Sequence, residues 1–198
     1  MMPDPFQKIV AALGQTSAAS SDFDLNPDVV LPQNRKLRAA GVLVPLLEVN
    51  GELRLILTKR SSALKHHPGQ IAFPGGKVEE GDVDVCAAAL READEEIGLP
   101  RNNVEVLGTL PTHETVTAFN VTPVLGRLKA DFTPKPEQGE VEEVFTVPFA
   151  HVSDPSQFSV QSRRWRGQRR YYYTVPYGPY YIWGATARIL RGLAERMS

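Results

Sequence analysis

Gly69-Gln-Ile-Ala-Phe-Pro-Gly-Gly-Lys77, an acidic turn, and then Ala87-Ala-Ala-Leu-Arg-Glu-Ala-Asp-Glu-Glu-Ile-Gly-Leu99 form the stretch whose reading decides the fold. Its second half has helical periodicity. Cys86, Leu90, Ala93 and Ile97 fall on one apolar stripe at about 100° per residue. Asp82 is the expected N-cap, Asp84 adds negative charge to the first turn, and Gly98 followed by Pro100 ends the helix. Glu92, Glu95 and Glu96 cluster on the opposite side, because residues three and four apart are neighbours on a helix.

Carboxylates that close repel one another, and no lysine occurs between Val78 and Pro100 to relieve them. Helix spacing alone is better explained by a solvated acidic face, since surface charge runs are common. A hard divalent cation, Mg²⁺ or Mn²⁺, is the alternative, since it takes oxygen ligands from a few carboxylates and from substrate phosphates. Phe73-Pro74-Gly75-Gly76 favours the cation. A rigid residue followed by two permissive ones lets the backbone turn and approach a ligand closely.

Together these residues resemble the signature of the Nudix hydrolases, in which a Gly and an acidic turn precede Arg-Glu-x-x-Glu-Glu-x-Gly and an apolar residue. Arg91 to Leu99 matches the helical half throughout. The first half departs at Asp82, near where the family has Glu, and by one extra residue between Gly76 and Arg91. A second resemblance is narrower. Leu57-Thr-Lys-Arg-Ser-Ser-Ala-Leu64 and His67-Pro-Gly-Gln-Ile-Ala-Phe-Pro-Gly-Gly76 are similar to the extra motif that precedes the signature in coenzyme A pyrophosphatases. The resemblance spans about Arg38 to Leu193.

It implies an α/β fold, the Nudix α/β/α sandwich with a mixed sheet, the signature (about 75–99) being a loop-helix-loop. It also implies hydrolysis of the pyrophosphate bond of coenzyme A or its thioesters, giving 3′,5′-ADP and 4′-phosphopantetheine. Glu92, Glu95 and Glu96 are the expected metal ligands for Mg²⁺ or Mn²⁺, with Gly75 and Gly76 bringing backbone to the metal or phosphates. Arg91 is expected to pair with a carboxylate in the turn or on the helix, and so to orient the ligands. The proton acceptor is either a helix glutamate or Glu140, with Glu142 and Glu143 facing solvent. Lys59, Arg60, His67, Gln70 and Lys77 are the expected substrate contacts, the cations for phosphate and the others for phosphate or ribose. A surface ion pair for Lys59 and a backbone-satisfied loop position for His67 are the plainer readings. Two runner-up functions remain: a Nudix hydrolase of another nucleoside diphosphate derivative, and a ligand sensor without catalysis. The intact Arg-Glu-x-x-Glu-Glu speaks against the sensor.

Composition sets the outer bounds. The 198 residues suffice for one well-cored domain, expected over 36–198 with a helix and lead-in over 1–35. Hydrophobic content of 42% and a net charge of −1 give no general pull toward nucleic acid or anionic membrane. The single cysteine, Cys86, fits a reducing cytoplasm and a buried small side chain. Met1-Met2-Pro3-Asp4 lacks the basic start of a signal peptide, and no apolar run approaches the length of a membrane span.

Elsewhere, Pro3 to Leu13 reads as a short amphipathic helix and Gly14 to Pro32 as an irregular lead-in. Arg35 and Arg38 stand in a basic connector, as outside candidates for phosphate contact. Ala40–Glu48 and Leu53–Thr58 are strands joined through Asn50-Gly51, a strong hairpin signal. Val104–Leu110 and Val116–Leu128 are further strands, with a polar Thr112-His113-Glu114-Thr115 between them. Arg163 to Arg170 reads as a hairpin with a charged tip at Gly167, and all six tyrosines follow between Tyr171 and Tyr181. Basic residues beside aromatics can bind single-stranded nucleic acid. A half-buried sheet or homodimer face is the better account of the tyrosines, with one or two of the arginines on adenine-side phosphates as a middle reading. Ile182 to Leu193 closes the chain as an amphipathic helix.

Overall fold

The structure is a computed structural model that describes residues 6–65, 67–165 and 167–198. Met1 to Pro5, including the first residues of the expected N-terminal helix, and Arg166 of the basic run lie outside the described residues.

Alternating hydrophobicity builds the sheet. In β2 (Arg38–Val49), Ala40, Val44 and Leu46 face one core while Leu43 and Leu47 face another, as a period of two requires. The Asn50-Gly51 turn, with both residues at positive φ, returns the chain as β3 (Glu52–Arg60). β3 splits the same way, Leu55 and Leu57 against Ile56. β8 (Phe119–Leu128) lies parallel to β2 and sends Val121 and Leu125 to the first core and Val124 and Leu128 to the second. Three residues expected at its start instead form a turn, in which Thr115 Oγ1 accepts from Phe119 N–H and Ala118 adopts positive φ.

Short strands complete the mixed sheet: β1 (Ser20–Ser21), β4 (Ile71–Ala72), β5 (Gly75–Lys77), β6 (Val104–Thr109), β7 (His113–Glu114) and β9 (Val141–Pro148). Among the described residues the strand order is β1-β7-β8-β2-β3-β4, with β5 on β2, β6 on β8 and β9 on β3. A separate antiparallel ribbon is made by β10 (Ser159–Trp165) and β11 (Gln168–Thr174), turning at Gly167.

Helices cover both faces. α1 (Gln7–Leu13) and α4 (Gly184–Met197) close the first core, where Ile9, Leu190 and Leu193 are fully buried, and the short α3 (Phe149–Val152) joins them. α2 (Val85–Ile97) closes the second core through Ala89, Ala93 and Ile97. The result is the expected α/β/α sandwich. α2 lies directly on β2, where a Cβ at Gly41 would stand 2.3 Å from the Val85 carbonyl oxygen.

One capping expectation is corrected. The N-cap of α2 is Asp84, whose side chain accepts from Ala87 N–H at 2.7 Å. Asp82 is unavailable, because its carboxylate already accepts from Glu79 N–H and from Arg91. The far end is as expected, with Gly98 in the left-handed region at φ +68°.

Candidate active site

α2 carries the site because its acidic face lies against β5. Glu96 is 5% exposed and accepts from Gly75 N–H at 3.1 Å. Burial, the first cause, pushes its carboxyl up to about 8; the neighbouring Glu92 and Glu140 charges add to this, while the Gly75 hydrogen bond and Arg60 oppose it. Glu92 is half-buried and likewise raised by burial, against the Arg91 hydrogen bond. A Cβ at Gly76 would stand 2.5 Å from the Glu92 carboxylate, so only glycine leaves that carboxylate its place.

Arg91 ties turn to helix. Its guanidinium donates to Asp82 at 3.0 Å through two nitrogens, to Glu92 at 2.9 Å, to Glu95 at 3.1 Å and to the Lys77 carbonyl at 3.1 Å. Asp82 is held below the usual carboxylate range, first by that Arg91 hydrogen bond. Asp82 thus anchors the loop that delivers Gly75 and Gly76.

Glu140 reaches the site through the end of α2. Helices leave their last carbonyls unsatisfied, and here Lys135 N–H donates to Ile97 O and Glu137 N–H to Glu96 O, each at 2.9 Å. The proline-rich loop is thereby laid over the helix end. Glu140, close behind, contributes to the electrostatic field at both Glu92 and Glu96.

Glu95 stands apart: its side chain is 59% exposed and paired with Arg91. Among the described residues no three His, Cys, Asp or Glu side chains form a ready-made cluster of metal ligands. A divalent cation still fits. Two carboxylates, one of them buried with no directly bonded cation among the described residues, repel each other and offer the hard oxygens that Mg²⁺ or Mn²⁺ takes alongside substrate phosphates.

The cationic residues before the signature divide. Lys59 is in a surface ion pair with Glu142 at 2.7 Å, while Arg60, next along β3, sits within the field of Glu96. The Arg60 Nε is buried without a hydrogen-bond partner among the described residues. Lys59→Ala should therefore leave turnover within about twofold of wild type and the melting temperature unmoved, as checked by steady-state kinetics and thermal denaturation. Lys77 is exposed beside Glu79 at 3.4 Å. Glu143 accepts from Tyr180 at 2.6 Å and so is tied to the tyrosine segment rather than facing solvent alone. Arg35 pairs with Glu114 at 2.7 Å and Arg38 stacks on Phe119 at 4.0 Å, which gives both structural roles. Cys86 is half-buried, and burial pushes its thiol up, away from reactivity.

His67 and Gln70 line a cavity of about 690 Å³, within the range of small-molecule sites. Val42 and Phe73 also line it and connect it to Gly75, whose approach to Val42 is close enough that a Cβ would lie 2.5 Å from the Val42 Cα. Its far wall could not be read from local sequence. Asp22, Phe23 and Asn26 of the lead-in line it together with Arg163, Arg170 and Trp183. Asn26 fixes this wall by donating to the Tyr171 carbonyl and accepting from the Tyr171 N–H, both at 2.9 Å. His113, fully buried, bridges Ser20 at 2.9 Å and Asp22 at 3.0 Å. On the lead-in side the sequence signal was Phe23, an aromatic in a polar stretch, which marks a side chain seeking cover without naming its partner.

A family model described as the NUDIX domain matches residues 37–169. The chain belongs to the Nudix family. It is 41% identical over 182 residues to the uncharacterized Nudix hydrolase NudL of Escherichia coli (strain SMS-3-5 / SECEC), covering 90% of this chain and 94% of that protein. It is also 41% identical over 157 residues to NudL of Enterobacter sp. (strain 638), covering 79% and 81%. The fold resembles that of a MutT/nudix family protein from Enterococcus faecalis (TM-score 0.55, 16% identity, 87% of this chain and 66% of that one). It also resembles the NUDIX domain of Shewanella oneidensis NrtR, solved with ADP ribose (TM-score 0.53, 16% identity, 89% and 97%). The chain is thus a Nudix hydrolase of a pyrophosphate-bearing substrate, and enzymes of this family generally use divalent ions such as Mg²⁺ or Mn²⁺. Among the described residues, no helix of this Nudix protein is long and apolar enough to cross a membrane.

Proposed function

We propose that the enzyme hydrolyses the pyrophosphate bond of coenzyme A or its thioesters, releasing 3′,5′-ADP and the corresponding 4′-phosphopantetheine. One observation carries this reading. His67 and Gln70, from the stretch that resembles the coenzyme A pyrophosphatase motif, open into a single cavity with Lys65, Arg163, Arg170 and several aromatic rings. Such a site suits a long nucleotide bearing phosphate beyond the diphosphate, with rings for the base and cations for the charge.

In this reading the bond between one phosphorus and the bridging oxygen breaks as the oxygen of water bonds to that phosphorus, and a carboxylate removes the proton. Glu92 and Glu96 would hold Mg²⁺ or Mn²⁺. A bound divalent cation supplies the positive charge and Lewis acidity that a diphosphate needs to accept a nucleophile. Arg91 keeps Glu92 in place, and Gly75 N–H orients Glu96. Among the described residues no cation is paired with Glu140, an exposed residue in the field of both, and we place it as the proton acceptor. Arg60, inside the same field, contributes charge to the diphosphate rather than to a distant group.

The test is a product assay with Mg²⁺ and with Mn²⁺ on coenzyme A, ADP-ribose and an oxidised nucleoside triphosphate. Coenzyme A should be turned over with the highest kcat/KM and yield 3′,5′-ADP. A preference for ADP-ribose or the triphosphate would overturn the assignment and leave a hydrolase of another nucleoside diphosphate derivative.

A further inference from the structure

The β10–β11 ribbon carries an arrangement that a ribbon built only for stability avoids. Arg163 stands directly opposite Arg170, and Arg164 directly opposite Arg169. Like charges at opposed positions destabilise an antiparallel pair, because their Cβ atoms lie only about 5 Å apart. Side chains alternate between faces, so the two pairs point opposite ways. Of these four arginines it is Arg163 and Arg170 that line the cavity, together with Trp165, Tyr171 and Tyr172 of the ribbon.

Four further features mark the cavity at that face as prepared for an anion. Arg163 stacks on the Trp183 ring at 4.3 Å, which fixes the guanidinium plane while leaving its edge to donate. The Arg170 Nε is buried and finds no hydrogen-bond partner among the described residues. Lys65 lines the same cavity. Asp22, the one carboxylate among the described lining residues, is already engaged by His113 and by Val116 N–H at 2.8 Å.

We propose that Arg163 and Arg170 form a subsite for a phosphomonoester on the nucleotide, a dianion separate from the diphosphate that is cleaved. The subsite rests on the coenzyme A reading for its natural ligand, the 3′-phosphate of the ribose. It assigns that group to the ribbon and leaves Arg60 with the carboxylates. The ribbon is held in place by Asn26 of the lead-in, so residues ahead of the matched 37–169 segment help to set specificity.

Calorimetric titration of 3′,5′-ADP and of 5′-AMP, at fixed ionic strength, tests the subsite without turnover. Wild type should bind 3′,5′-ADP roughly 10- to 100-fold more tightly than 5′-AMP, the range for charge-assisted hydrogen bonds to one phosphate. Arg163→Gln with Arg170→Gln should abolish that preference without lowering the melting temperature, since it removes a like-charge pair. Arg164→Gln with Arg169→Gln, the same charge change on the other face, should keep it. Retention of the preference in the first double variant, or equal loss in both, would overturn the subsite. Failure of the coenzyme A reading shows separately, as absence of coenzyme A turnover by the wild-type enzyme whatever the binding preference.

Discussion

Glu96→Gln is expected to lower divalent-cation-dependent turnover by roughly 10³-fold, because a cation neutralising a diphosphate contributes several kcal/mol. The same substitution should stabilise the metal-free protein at alkaline pH. The Glu96 carboxyl is raised from 4.5 to about 8 by burial, so the folded chain holds a proton that the unfolded chain releases. Stability of the metal-free protein is therefore greatest at and below about pH 4.5 for this group and declines as pH rises toward 8. It then levels off, with a loss on the order of 5 kcal/mol. Urea denaturation in chelator across that window should show the decline in wild type and a flatter profile in Glu96→Gln. A variant with normal turnover, or an unchanged profile, would remove Glu96 from the role assigned to it.

The second large effect separates position from fold. Gly76→Ala places a Cβ 2.5 Å from the Glu92 carboxylate, the far end of a flexible side chain that can move aside. Activity should fall roughly 10²-fold, as displacement of a catalytic group by about 1 Å commonly does, while the melting temperature stays close to wild type. Gly41→Ala makes the contrasting case. Its Cβ would meet the Val85 carbonyl at 2.3 Å and the Ala89 nitrogen at 3.2 Å, backbone atoms that cannot yield without moving α2. Overpacking of that kind costs about 1–3 kcal/mol, so thermal denaturation should show a melting temperature lower by roughly 2–12 °C. Equal loss of stability in the two variants would contradict the account of Gly76.

What could be read in the sequence was what the chain encodes locally. The Asn50-Gly51 hairpin, the helical run into Gly98 and the apolar stripe of α2 are each specified within a dozen residues, and all are found. Asp82 and Asp84 both satisfy a capping pattern. The contest is decided by Arg91, whose bidentate hold on Asp82 depends on the folded loop. The split of Glu95 from Glu92 and Glu96 was likewise invisible, since helical spacing groups the three while the course of β5 distinguishes them. The cavity wall was hidden for a different reason. The Asn26–Tyr171 bonds join residues 145 positions apart, and nothing in Asp22 to Asn26 signals that the lead-in will meet a ribbon near the other end of the chain. Glu140 was reached only through family resemblance. Its physical explanation, the capping of α2 by the loop over Lys135 and Glu137, needed the fold.

The central claim is that the buried face of α2 holds a divalent cation between Glu92 and Glu96. Anomalous diffraction from crystals of the enzyme grown with MnCl₂ measures this directly. The account predicts a manganese peak within coordinating distance of both carboxylates in the wild type and its loss in Glu96→Gln. A wild-type map with no anomalous density beside those side chains, with substrate product bound or without, would contradict it.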